Sequence, residues 1–109
     1  MELINNAEVQ KFYFQGNFQQ TLAASKQGLK TFEVWRLSVA PGADAPASSH
    51  PGEVVVLTLQ GTGRVVVDGK QVDIRPDTTL VIPPNASRQV FNSGSEELVI
   101  ILIRAVASA

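Results

Sequence analysis

The segment from Glu53 to Ile74, EVVVLTLQGTGRVVVDGKQVDI, constrains the fold more than any other part of the chain. Its valine-rich runs are short and β-branched. Branched Cβ atoms lose rotamer freedom in a helix but pack well on a pleated surface, so the runs predict strands. Gly61 and Gly63 separate the first run from the second. Asp68-Gly69 is the two-residue signal of a tight hairpin, because both residues tolerate the positive φ that such turns demand. Similar runs recur along the chain. KTFEVWRLSVAPG alternates Trp35, Leu37 and Val39 against Glu33, Arg36 and Ser38, with one slip of register near Val34, and stops at a Pro-Gly turn. TTLVIPPN, SRQVFN and ELVIILIRAVA complete the set, and QTLAASKQGLK has room for one helical turn. Eight or more short strands with turns between them predict an all-β barrel or sandwich. Leu98 to Ile103 is apolar at every position, which asks for cover on both faces.

Composition narrows the function classes. The 109 residues are one domain's worth, and residues 1–109 are read as a single unit. The absence of cysteine excludes disulfides, thiolate zinc sites and cysteine nucleophiles, and fits a reducing compartment. A formal net charge of −1 lacks the basic footprint that nucleic acid or anionic lipid requires. The longest apolar stretch, LVIILI, is far too short for a membrane span. MELINNAEVQ carries acids where a secretory leader has basic residues, so the expected location is the cytoplasm.

From Pro41 to Ile103 the order of elements in PGADAPASSHPGEVVVLTLQGTGRVVVDGKQVDIRPDTTLVIPPNASRQVFNSGSEELVIILI resembles a small single-domain cupin. Cupins are double-stranded β-helices, or jelly-roll β-barrels, marked by the motifs G-x5-H-x-H-x3-4-E-x6-G and G-x5-P-x-G-x2-H-x3-N. Gly42 opens the first motif and Gly61 closes it. Pro83 and Asn92 fit the second, with Asp77 and Asn85 standing at its glycine positions. The resemblance thus implies N-terminal strands within 1–40 and the barrel motif region over 41–103. It also implies a divalent metal held by three histidines and a glutamate, but those positions read Ser48, His50, Val54 and Arg88. Glu53 sits one residue early, beside the Pro51-Gly52 turn. One imidazole is not a metal site, and a guanidinium stays charged and offers no lone pair. The expectation is a degenerate metal site with no cofactor, His50 and Glu53 being the weak candidates for any ligation.

On the same frame Ser48, His50 and Arg88 converge where the metal would sit, on apolar walls that include Val54, Val56 and Val90. Thr58, Gln60 and Asn92 complete the candidate ligand-binding set. A hydroxyl, an imidazole and a fixed cation suit a small organic anion, since arginine binds carboxylates strongly and directionally. The leading expectation is therefore a cupin-like protein that binds a small anionic ligand without a metal. The alternative is a cupin enzyme, an isomerase, epimerase, lyase or metal-dependent dioxygenase, with His50 as catalytic base or metal ligand. Each of these residues also has a structural reading: His50 as a hydrogen-bonded residue at the barrel mouth, Asn92 as a turn residue, Trp35 as core. Finally, the frame turns Val54, Val56, Thr58 and Gln60 inward and leaves Val55, Leu57 and Leu59 outside. An apolar outer face of this kind predicts a homodimer.

Overall fold

A computed structural model of the chain describes residues 1–106; the last three residues of the predicted domain lie outside that range. Nine strands are formed among the described residues: β1 (Phe12–Phe14), β2 (Asn17–Ala23), β3 (Phe32–Val39), β4 (Val54–Gln60), β5 (Gly63–Val67), β6 (Lys70–Ile74), β7 (Thr78–Ile82), β8 (Arg88–Phe91) and β9 (Leu98–Ala105). The only helical pieces among them are single 3₁₀ turns at Asn6–Glu8 and Ser25–Gln27, the second within the stretch that had room for one turn. The strands form a six-stranded sheet in the order β1-β2-β3-β9-β4-β7 and a three-stranded sheet in the order β6-β5-β8. All pairings are antiparallel. This is the jelly-roll β-barrel expected from the strand pattern.

The core lies between the two sheets. Leu37, Val39, Val54, Val56, Leu98 and Ile100 line it from the larger sheet, and Val65, Ile74 and Val90 from the smaller. Alternation selects these residues, because side chains two apart share a face. In β9, Leu98, Ile100 and Leu102 are buried while Val99, Ile101 and Ile103 are only half-buried. The second face of this wholly apolar strand is therefore incompletely covered within one chain.

Turn chemistry agrees with the sequence. Asp68 and Gly69 take φ of 47° and 81° and join β5 to β6 as a hairpin. Gly61 has φ of 78°, and a Cβ there would lie 2.4 Å from the Glu97 carbonyl oxygen, so no side chain fits. Asp77 and Asn85, standing at motif glycine positions, adopt φ of 64° and 66°. Short polar side chains tolerate this left-handed region, which keeps the frame without the glycines.

Two register expectations are corrected. β3 pairs with β9 from Phe32↔Ala105 to Val39↔Leu98 without a slip, and the irregularity at Val34 lies in β2, where Thr21 pairs with Trp35 but Ala23 with Val34. Glu33 shares the inner face with Trp35 because Arg104, its partner across the ladder, supplies the opposite charge. Val34 faces out, opposite Ile103. In β4, Val54, Val56 and Thr58 are buried as expected, but a bulge between Thr58 and Gln60 re-aims the strand end and Gln60 is exposed. One extra residue in a strand reverses the facing of the residues beyond it.

The outer face of the large sheet is partly covered by the N-terminal segment. Gln20, fully buried there, donates to the Asn6 and Val9 carbonyls at 2.9 Å each and accepts from Arg36 Nε at 2.7 Å. Beyond that cover, Val34, Ile103, Val55 and Val81 form one row across four strands, with Ile101 and Leu57 in the next.

Candidate functional site

A cavity of about 310 Å³ opens between the sheets. β3 contributes Trp35 and Leu37, and β9 contributes Leu102 and Arg104; Arg88 and Val90 of β8 face them, with Ala45 to Ser48 at the rim. Ser48 and Arg88 are held opposite each other by an isolated antiparallel bridge. Each backbone N–H donates to the other's carbonyl, at 2.9 Å from Ser48 and 2.8 Å from Arg88.

The electrostatics of this cavity are one-sided, for no aspartate or glutamate among the described residues lines it. Arg104 is neutralised by Glu33 (Nε to Oε1, 2.8 Å) and its guanidinium stacks 3.9 Å above the Trp35 ring. That is the only ion pair among the described residues. Arg88 has none there. Its side chain is half-buried, and Nη1 is buried without a hydrogen-bond partner. Burial, and then the like charge of Arg104, lower its pKa from the usual arginine value. Both effects oppose a bare cation, and an anion in the cavity would relieve both.

The other candidates lie elsewhere. His50 does not line this cavity; its Nε2 is 2.5 Å from the Ala105 carbonyl. A carbonyl only accepts, so this nitrogen carries the proton and donates, leaving Nδ1 as the free ring nitrogen. Glu53 is exposed, and its backbone carbonyl accepts from Ala105 N at 2.9 Å. Thr58 is buried in the core with its hydroxyl unpartnered, and Gln60 lies at the surface, 3.5 Å from the Glu97 carbonyl. The structure therefore brings Ser48 and Arg88 together, and not His50, Thr58, Gln60 or Asn92.

Asn92 is occupied with backbone. Its Nδ2 donates to the Val39 and Glu96 carbonyls at 2.8 Å each, and its Oδ1 accepts from Gly94 N at 2.9 Å. The residue is 3% exposed, so truncation would strand these groups away from water. Asn92→Ala is expected to cost about 2–4 kcal/mol of folding stability, the scale of more than one unsatisfied buried group. Urea denaturation checks this, and a loss below about 1 kcal/mol would contradict it.

The cupin resemblance implies a metal, and a metal centre needs three or four convergent donors at about 2.0–2.3 Å. Of the four motif positions, Val54 and Arg88 have no lone pair to give, Ser48 is a weak donor, and His50 Nε2 is engaged with Ala105. No group of three His, Cys, Asp or Glu side chains converges among the described residues. The residues present do not fit the metal.

Sequence reasoning missed Trp35 and Arg104 as cavity residues. The signal was available: Arg104 continues the inward series Leu98, Ile100, Leu102, and a charge at that parity needs a partner. A second, more open cleft of about 550 Å³ lies against the β1–β2 hairpin, walled by Tyr13, Phe14, Phe18 and Glu97, and contains none of the predicted site residues.

The family described as Cupin domain matches residues 35–104, from the middle of β3 nearly to the end of β9. Auxin-binding protein 1 of Arabidopsis thaliana is 33% identical over 98 residues, covering 81% of this chain and 50% of that protein. Auxin-binding protein T85 of Nicotiana tabacum is 31% identical over 94 residues, covering 76% of this chain and 50% of that protein. The chain thus spans about half the length of the curated relatives it matches. Among solved structures, a predicted oxalate decarboxylase from Thermotoga maritima superposes with TM-score 0.86 at 16% identity, covering 97% of this chain and all of that one. The polyketide cyclase RemF from Streptomyces resistomycificus gives TM-score 0.84 at 16% identity, covering 99% of this chain and 81% of that one. At such identities the structures speak for the fold alone. The family match spans most of the chain, and the barrel it describes is the one the strands build: this protein belongs to the cupin family.

Proposed function

We propose that this cupin binds a small anionic organic ligand between its sheets, through Arg88 directly and without a metal. The observation that carries the reading is the Arg88 Nη1 donor, buried and unpartnered beside a cavity that no acid lines among the described residues. An unpaired buried charge is costly, and a carboxylate or phosphate oxygen is its natural complement. Ser48 at the rim adds a hydroxyl, and Leu37, Val90 and Leu102 supply apolar wall. The curated relatives are named for binding auxin, which supports a small organic ligand as the class.

The enzyme alternative, with His50 as base or metal ligand, needs that imidazole released from Ala105, and no observation favours it. The proposed location is the cytoplasm; no helix among the described residues is long and apolar enough to cross a membrane. The proposed assembly is a homodimer through the uncovered outer face of the large sheet.

Trp35, the only tryptophan, lines the cavity and reports on it by fluorescence. Titration with hexanoate is expected to give a saturable change, weakened by added salt, that hexylamine of equal length does not give. An equal response to both, or none to hexanoate, would overturn the reading.

A further inference from the structure

Trp35 presents the same anomaly as Arg88, from the opposite wall. Its Nε1 is buried with no hydrogen-bond partner, although indole N–H groups usually find one when buried. Its surroundings explain why none is found. Arg88 and Arg104, the charged side chains of the cavity, are donors only and have nothing for an indole N–H to reach. Leu37 and Leu102 are aliphatic. The acceptors among the lining side chains are the Ser48 hydroxyl and the Gln19 amide, and neither bonds to Trp35.

The ring is also packed on one side. Arg104 stacks on it at 3.9 Å and is itself held by Glu33 at 2.8 Å. One face of the indole is thereby closed to a stacking ligand, and the N–H edge is its remaining polar feature. Trp35 stands on β3 of the six-stranded sheet and Arg88 on β8 of the three-stranded sheet. Two residues with an unmet donor, one charged and one neutral, therefore line opposite walls of one small cavity.

Accepting that Arg88 binds an anion, we infer that the ligand also carries a neutral hydrogen-bond acceptor, received by the Trp35 indole N–H across the cavity. This makes the ligand class an oxo-, hydroxy- or ether-bearing carboxylate rather than a plain alkyl acid, and makes Trp35 a specificity-determining residue. A site that holds a buried donor for its ligand rejects analogues lacking the acceptor far more strongly than an apolar pocket rejects a missing methylene.

Because the chain has a single tryptophan, ¹⁵N-labelled protein gives one indole N–H resonance. The test titrates hexanoate, 4-oxohexanoate and 5-oxohexanoate against it. At least one oxo acid is expected to bind tenfold or more tightly than hexanoate and to move that resonance downfield. Trp35→Phe, which keeps an aromatic ring but removes the N–H, is expected to bring the ratio between oxo acid and parent close to one. Equal binding of all three acids with an unmoved indole resonance would overturn the inference while leaving the anion site standing, with water alone meeting the indole. A preference that survives in Trp35→Phe would overturn it too. Should no acid bind at all, the anion reading itself fails, and this inference with it. The resonance is read in the unaltered protein, so the test does not depend on the variant folding.

Discussion

Arg88→Met is expected to weaken anion binding tenfold or more and to leave the protein at least as stable as its parent. The two effects share one cause. Arg88 carries a charge into a cavity with no acid among its described lining residues, beside a second arginine, with a donor buried and unmet. Removing it takes away the hydrogen bonds to the anion, about 1.5–3 kcal/mol or roughly tenfold to a hundredfold in affinity. Removing it also ends a desolvation cost that the folded protein bears without ligand. Methionine has the length to lie along Leu37, Val90 and Leu102, and its flexible thioether fills irregular apolar gaps. The side chain is only half-buried, so part of its charge is already solvated and the gain is modest, up to about 1–2 kcal/mol. The bridge to Ser48 uses backbone atoms and survives the substitution. Urea denaturation and hexanoate titration of the same preparation measure both effects. A variant that still binds hexanoate normally, yet is destabilised by more than about 1 kcal/mol, would make Arg88 a structural residue.

That pairing of a functional gain with a structural cost also explains what alternation of residue types could and could not predict. β9, apolar at every position, offered no pattern to choose its inner face, whereas period-two alternation, phased by the cupin frame, sufficed for β4 from Val54 to Thr58. It failed at Gln60, where a bulge adds a residue that no hydropathy pattern marks. It failed again at Glu33, where a charge faces inward because Arg104, distant in sequence, answers it across the ladder. The cupin frame set Ser48, His50 and Arg88 around one point, and a bridge joins Ser48 to Arg88. His50 obeys no such rule. It precedes β4 in an irregular Pro-Gly loop, where a period of two assigns no direction, and its ring turns to the Ala105 carbonyl. Trp35 and Arg104 were missed for another reason: parity marks Arg104 as inward, but its stacked partner and the acid at its end appear only once β3 and β9 are laid side by side.

Leu57→Asp is expected to convert a homodimer into a folded monomer. Val34, Ile103, Val55 and Val81 form an uncharged row across four strands, with Ile101 and Leu57 beside them. Val81 is 65% exposed in the single chain. Arg36, at the end of the second row, is tied back to Gln20 at 2.7 Å and does not interrupt the face. Four strands spaced about 4.8 Å apart make a patch roughly 20 Å wide, some 300–400 Å². A standard interface needs about 800 Å² from each partner. The shortfall is met along the same face, where Tyr13 and Phe18 stand in the row of Ser38 and Val99 and extend the apolar surface to the sheet edge. The face is apolar at its centre, with Arg36 tied to Gln20, Glu97 bonded to Ser38 and Lys11 over the Phe18 ring at its margin, and a second copy of the chain would meet it about a twofold axis. The same symmetry doubles the effect of any substitution. Losing leucine burial of about 1.5–3 kcal/mol on each side totals about 3–6 kcal/mol, a weakening of at least a hundredfold before the cost of facing two carboxylates is added. Leu57 points away from the barrel interior, so the core packing and the circular dichroism spectrum should not change. Light scattering of the parent and the variant at micromolar concentration decides the matter. A parent protein that is already monomeric there would show that the outer face is simply tolerated in water, and that the half-buried residues of β9 need no second cover.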